Sequence, residues 1–159
     1  MKTEEFVAKL ATLNPPITVE KYDDNEDFGD QLVNLVMNYD IGEVELGDVG
    51  FADEAMGDED TYEIGMFEEK FLIIDRNTGE IRVEEDDDEG TIIYSCAENS
   101  EKFLDATWEV VQYLSKQLDE TLDDSTLDDH EEVAMKCAKI AGSEEYFAFY
   151  VDWLNCYEK

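Results

Sequence analysis

Apolar residues along the chain fall into short runs whose spacing changes with position. Near the start they recur at helical intervals. Phe6, Leu10 and Leu13 share a face over residues 3–13, Glu4 and Glu5 occupy the first turn, Thr3 is placed to cap it, and Pro15 and Pro16 stop it. Phe28, Leu32, Leu35, Val36 and Tyr39 repeat the pattern over 26–39, and Gly42 follows as a terminating glycine would. The period then drops to two. Over 40–69, alternations such as Val44–Leu46 and Val49–Phe51 predict short strands joined by turns. Phe71-Leu-Ile-Ile-Asp75 and Glu80-Ile-Arg-Val-Glu84 flank Arg76-Asn-Thr-Gly79, whose glycine suits positive φ, and together predict a hairpin. Phe71, Ile73, Ile81 and Val83 are expected under a helix, with Leu72 and Ile74 on a second face that is at least partly covered. Thr91 to Tyr94 predicts a further strand.

Helical spacing returns from about 101 to 118. Ser100 is placed as its cap, and Leu104, Thr107, Trp108, Val111, Leu114 and Leu118 form an apolar stripe. Residues 119–132 hold acids and no Lys or Arg, and predict a solvated connector that turns helical only near its end, where Asp129 and Glu132 offer a capping-box-like start. That helix should end near Gly142. Ser143 then caps a last helix in which Tyr146, Phe147, Phe149, Tyr150, Trp153 and Tyr157 crowd together; at this spacing inside a small chain they predict core. The organisation expected is one domain over 1–159, with an acidic connector at 119–132 and a C-terminal helical extension at 133–159.

Composition changes the picture more than any motif does. The chain carries 44 Asp and Glu against 11 Lys and Arg in 159 residues, a formal net charge of −33. Leu, Ile, Val and Phe still supply about a quarter of it, above the level at which charge alone predicts disorder. Such a field repels nucleic acid and anionic membranes and steers basic protein surfaces toward it. No stretch approaches a membrane span and the N-terminal residues carry no apolar signal region, so a cytoplasmic location is expected. Cys96, Cys137 and Cys156 are too far apart for a CxxC pair and predict buried reduced thiols.

Candidate chemistry is sparse. His130 is the single histidine, so any Ser-His-Asp or Cys-His arrangement would have to use it, and its place in the acidic run at a helix start predicts a surface position instead. With 44 acids, paired carboxylates carry no information about hydrolysis. The glycine of an EF-hand loop is out of register in the run from Asp86, and the run from Asp58 has Tyr62 at position 5 and Glu63 where the glycine is needed. Gly47-Asp-Val-Gly50 is too short and too acidic to cradle phosphate. No catalytic residue, metal ligand or cofactor is therefore assigned. The binding residues expected are the acids of two segments that combine charge with exposed backbone: Asp53, Glu54, Asp58, Glu59 and Asp60, then Asp86, Asp87, Asp88 and Glu89.

One stretch carries a resemblance. Ile64-Gly65, Phe71-Leu-Ile-Ile-Asp75, Asn77-Thr-Gly79-Glu-Ile81, the charged run Glu84 to Glu89, Ile92-Ile-Tyr94 and Ser100-Glu-Lys-Phe103-Leu104 follow one another in the order and spacing of the SUKH superfamily, which the chain resembles from about Ile64 to Ala106. The resemblance implies an α+β fold with a single mixed, mostly antiparallel sheet flanked by helices. It also implies a binding protein without catalysis, of the bacterial immunity type, whose partner is a toxin domain of the nuclease or nucleic-acid deaminase kind. Charge and resemblance point to the same partner chemistry, a basic protein, with neither nucleic acid nor membrane. Two other classes stand beside this one: a general acidic interaction or regulatory domain, and an acidic hydrolase.

Overall fold

The computed structural model describes residues 1–87, 89–118 and 129–156. The fold is α+β, one antiparallel sheet with helices laid on it. Two helices come first, α1 (Thr3–Leu10) and α2 (Gln31–Asn38). Six strands follow: β1 (Glu45–Leu46), β2 (Val49–Gly57), β3 (Thr61–Phe67), β4 (Lys70–Asp75), β5 (Ile81–Glu84) and β6 (Ile92–Ala97). They lie side by side in chain order, every neighbouring pair antiparallel, so the sheet is a simple meander. Three more helices follow: α3 (Ser100–Leu118), α4 (His130–Ala141) and, after a 3-10 turn at Glu144–Tyr146, α5 (Phe147–Leu154). No described helix is long and apolar enough to cross a membrane.

The predicted hairpin is present, with Ile81 and Val83 facing the helices as expected, but the two faces of its first strand are exchanged. Leu72 pairs with Val83 and Ile74 with Ile81, and directly paired residues in an antiparallel ladder point the same way. Leu72, Ile74, Ile81 and Val83 therefore share the face that meets the helices, while Phe71 and Ile73 turn outward with Arg82 and Glu84. The turn decides this. The Asp75 carboxylate accepts from the N–H groups of Asn77 and Thr78, and Gly79, at φ 85°, donates to the Asp75 carbonyl. That loop sets the register, and a one-residue change in register swaps the faces.

Local chemistry also moves the helix boundaries. The helix expected over 26–39 begins only at Gln31, because Asp30 caps it by accepting from Leu32 N and Val33 N. Asp27 holds the preceding turn through Gly29 N, leaving Phe28 exposed. Thr3 is not a cap: it lies inside α1, and its hydroxyl donates to the Gln31 carbonyl at 2.6 Å. Ser100 is not a cap either. Asn99 accepts from Lys102 N, and the Ser100 hydroxyl reaches Asp30 instead.

The core is one cluster that takes buried residues from all five helices and from the inner sheet face. Of the predicted α3 stripe, Leu104, Thr107, Val111 and Leu114 are buried, Trp108 is half-buried and Leu118 is exposed at the helix end. Phe103, Ala106, Val110 and Tyr113 are buried as well, because α1, α2, α4 and α5 all pack against this helix. The aromatic cluster is core as expected: Tyr146, Phe149, Tyr150 and Trp153 are buried, and Tyr157 lies outside the described residues. Two of these aromatics are pinned at both ends of the sheet. Trp153 Nε1 donates to the Leu46 carbonyl at 2.7 Å and the Tyr150 hydroxyl to the Cys96 carbonyl at 2.7 Å. Helix α4 starts at His130 with Asp129 as its cap, so 130–132 are helical; residues 119–128 of the expected connector lie outside the described residues.

Candidate protein-interaction surface

Of the acids singled out from the sequence, Asp58–Asp60 and the 86–89 segment fall at opposite ends of the strands, while Asp53 and Glu54 lie within β2. Asp58, Glu59 and Asp60 form the β2–β3 turn. The Asp58 carboxylate accepts from Asp60 N at 2.8 Å and Thr61 N at 2.9 Å, and these backbone N–H groups, Asp60 first, hold it below the usual carboxylate range. The turn is fastened to the neighbouring β4–β5 turn. Arg76 N donates to the Asp60 carbonyl at 2.8 Å, and the Arg76 guanidinium donates to the Asp58 carbonyl while lying 4.2 Å from the centre of the Tyr62 ring. Asp53 belongs elsewhere: a Cβ on Gly42 would strike its Oδ1, so it lies toward the segment that follows α2. There, desolvation, Asp40 and Asp53 together raise the Tyr22 phenol. Glu54 is exposed on β2.

The second segment closes the opposite end. Asp87 accepts from Glu89 N and Thr91 N, each at 3.2 Å, and from the Thr91 hydroxyl at 2.8 Å; that hydroxyl is the largest cause of its lowered pKa. Asp86 and Glu89 are exposed, and Asp88 lies outside the described residues. Strands of four to six residues separate the two turns, roughly 15–20 Å at about 3.3 Å per residue. The eight of these acids that are described do not form one patch. Asp58 and Asp87 shape their own turns, Asp53 and Glu54 lie along β2, and exposed Glu59, Asp60, Asp86 and Glu89 stand at the strand ends.

Between those ends lies a surface that sequence reasoning missed. Pairing places Glu45, Gly50, Met66, Phe71, Glu84 and Ile92 in one row across the outer face, and Met56, Glu63, Ile73, Arg82 and Ser95 in a second. Among the described residues, Ile73 is the one buried apolar residue that stands outside the core cluster. Arg82 forks between Asp75 at 3.1 Å and Glu84 at 3.2 Å, and these half-buried side chains are the cover of the sheet's middle. Met56, Met66 and Ile92 are 62%, 42% and 50% exposed. The cover expected for this face is thus supplied by its own long side chains. Its signal in the sequence was the outward parity of Phe71, Ile73, Arg82 and Glu84, which the exchanged hairpin faces concealed.

Groups with reaction chemistry are placed apart from this surface. Burial, and then Glu80, push the Cys96 thiol well up; burial, and then Glu109, raise Cys137 to about 12. His130 stands at the start of α4 with its ring edge-on to Tyr113, centroids 5.2 Å apart. Among the described residues no group of three or more His, Cys, Asp or Glu is arranged to hold a metal ion. No protein-family model, no curated protein and no solved structure matches the chain.

Proposed function

We propose that this chain is a non-catalytic, acidic binding protein that captures a basic protein surface, in the manner of the SUKH-type immunity proteins that it resembles. The observation that carries the proposal is a sheet face on which no described helix is laid, with exposed carboxylates at both ends, on a chain of net charge −33. A field of that size raises the encounter rate with a basic partner by orders of magnitude at low salt. Exposed apolar side chains between the charged ends supply what charge alone lacks, area that desolvates on contact. A toxin domain that acts on nucleic acid presents a basic substrate surface, and an acidic protein laid over it competes with the polyanion. The proposed site of action is the bacterial cytoplasm.

The test is co-expression. A basic C-terminal toxin-type domain, sought first in the genes beside this chain, is expressed in cells with and without it. Rescue of growth, together with a complex that weakens steeply with salt, is the expected result. A complex without rescue assigns the chain to a general acidic interaction domain. Turnover by the isolated chain that disappears on single Asp or Glu substitution assigns it to the hydrolases and sinks the proposal. The loop's share is read from association rates of a variant with Asp86, Asp88 and Glu89 changed to Ser. Asp87 is kept, because it holds the turn through three hydrogen bonds.

A further inference from the structure

Two glycines lie close together in the β2–β3 ladder for different reasons, Gly65 in the inward-facing register with Phe51 and Leu72, and Gly50 in the outer row with Met66. Gly65 pairs with Phe51 across the β2–β3 ladder, and a Cβ on it would lie 2.3 Å from the Gly50 carbonyl oxygen. Close approach of the β2 backbone accounts for it. Gly50 has no such reason. It lies within β2, takes no positive φ, and a Cβ built on it meets nothing within 4 Å. A glycine inside a strand weakens the strand and commonly marks a place where something else comes close to the backbone. Over Gly50 the structure leaves a shallow groove of about 420 Å³, lined by Glu45, Gly50, Glu63, Gly65, Met66 and Glu68 among others. Glu68 already faces Lys70 at 3.6 Å. Glu45 follows Gly50 in the outer row, and Glu63 stands in the next row.

The groove therefore has an open backbone floor, a thioether wall at Met66 and carboxylates at its border. That chemistry fits the side chain of Arg or Lys, whose apolar stem lies along Met66 and whose cation reaches the carboxylates. We infer that the outer face of the sheet is the seat of the basic partner, and that one of its Arg or Lys side chains lies over Gly50 between Glu45 and Glu63. The inference rests on the proposed capture of a basic protein and adds where and how it is held. Charge selects this occupant over a second copy of the chain, because two bodies each of net charge −33 repel. Apolar neighbours of the basic side chain would sit on Met66, Phe71 and Ile92.

Five methionines make the test direct. Met56 and Met66 stand on the outer face, while Met37 lies in α2 and Met135 in α4. The chain is labelled at the methionine methyls and titrated with two capped pentapeptides of equal charge, Arg-Leu-Arg-Leu-Arg and Arg-Ser-Arg-Ser-Arg. The expected result is a shift of the Met66 methyl, with Met37 and Met135 unmoved, and affinity for the leucine peptide about tenfold above that for the serine peptide. Gly50→Leu fills the groove and should cut the leucine-peptide affinity about tenfold while circular dichroism stays unchanged. If that variant fails to fold, Met66→Ser reads the same contact from an exposed position. Equal affinity for both peptides, with parent-like binding by the variants, overturns the inference and leaves acidic capture standing. Binding of neither peptide at low salt removes acidic capture, and the inference with it. A Met66 shift that follows protein concentration without peptide makes the occupant a second copy and also overturns it.

Discussion

Asp30 is the sharpest place to test the structure, because removing an acid from this chain should otherwise help it. Its Oδ1 accepts from Leu32 N at 2.9 Å and Val33 N at 3.1 Å, which caps α2. The Ser100 hydroxyl donates to the same carboxylate, 2.8 Å from Oδ1 and 2.9 Å from Oδ2, and Ser100 opens α3 at 5% exposure. One carboxylate thus sits at the N-terminal, positive ends of two helices. Asp30→Ala removes the cap, at about 1 kcal/mol. It also strands the buried Ser100 hydroxyl, at about 1–3 kcal/mol. Relief of charge repulsion returns only a few tenths of a kcal/mol. The net expectation is a loss of about 2–4 kcal/mol, a large share of a typical 5–15 kcal/mol total. Asp30→Asn keeps an acceptor for both helices and should cost about 1 kcal/mol or less.

Urea unfolding at fixed salt measures all of this, with the Asp30→Ala/Ser100→Ala cycle isolating the pair. The double variant should be less destabilised than the sum of the singles, because Ser100→Ala removes the stranded hydroxyl. Asp30→Ala within about 0.5 kcal/mol of the parent would refute the argument, as would Asn and Ala variants that cost the same.

Electrostatics gives a two-sided pH profile. Backbone N–H groups depress Asp27 (Gly29 first) and Asp58 (Asp60 first), and the Thr91 hydroxyl leads for Asp87. A carboxyl whose folded pKa lies below its unfolded value of about 3.9 stabilises in full above that value, and the contribution disappears as pH falls through the folded pKa. The melting temperature should therefore hold or rise from pH 7 to 5 as repulsion eases, rise with added salt at pH 7, and fall below about pH 4. A steady decline starting at pH 6, or no response to salt, would contradict this balance. Trp153→Phe should cost about 2–4 kcal/mol in the same urea assay, through the stranded Leu46 carbonyl and the lost ring volume. A neutral result would mean that α5 does not anchor the β1 edge.

Much of the architecture is legible from periodicity. The runs over 71–84 and 101–118 have strong patterns and short, well-marked turns, and both elements form where the spacing places them. Caps and faces are harder, because tertiary partners choose between adjacent candidates. Thr3 looks like a cap until Gln31 takes its hydroxyl, and Ser100 until Asp30 takes its own. The turn work of the acids was available in the sequence. Asp58 before Thr61, Asp75 before Thr78 and Asp87 before Thr91 each bind N–H groups two to four residues on. Charge density hid that spacing, so structural acids and exposed ones were grouped together. The outer face was hidden for a different reason, a register that no single strand reveals.

The layout of the acids constrains how a partner could sit. Six strands about 4.8 Å apart make the outer face roughly 24 Å wide, and the distance between the acidic turns makes it roughly 15–20 Å tall. That is on the order of 400 Å², half of the about 800 Å² that each side of a standard complex buries. A partner of standard size seated there must overrun the face. The nearest material beyond it is the Asp58–Asp60 turn at one end and the 85–90 loop at the other. Exposed carboxylates at those borders would meet the partner's rim, where they set the approach and the salt dependence. The methionines, Phe71 and Ile92 would meet its centre, where desolvated contact slows departure. Rim acids alone would bind any cation weakly, and the apolar rows alone would offer little to a protein that is not basic. In the proposed complex, selectivity would depend on both being met together, the apolar rows on the outer face and the acids at its two borders, a layout that the meander and its register bring about.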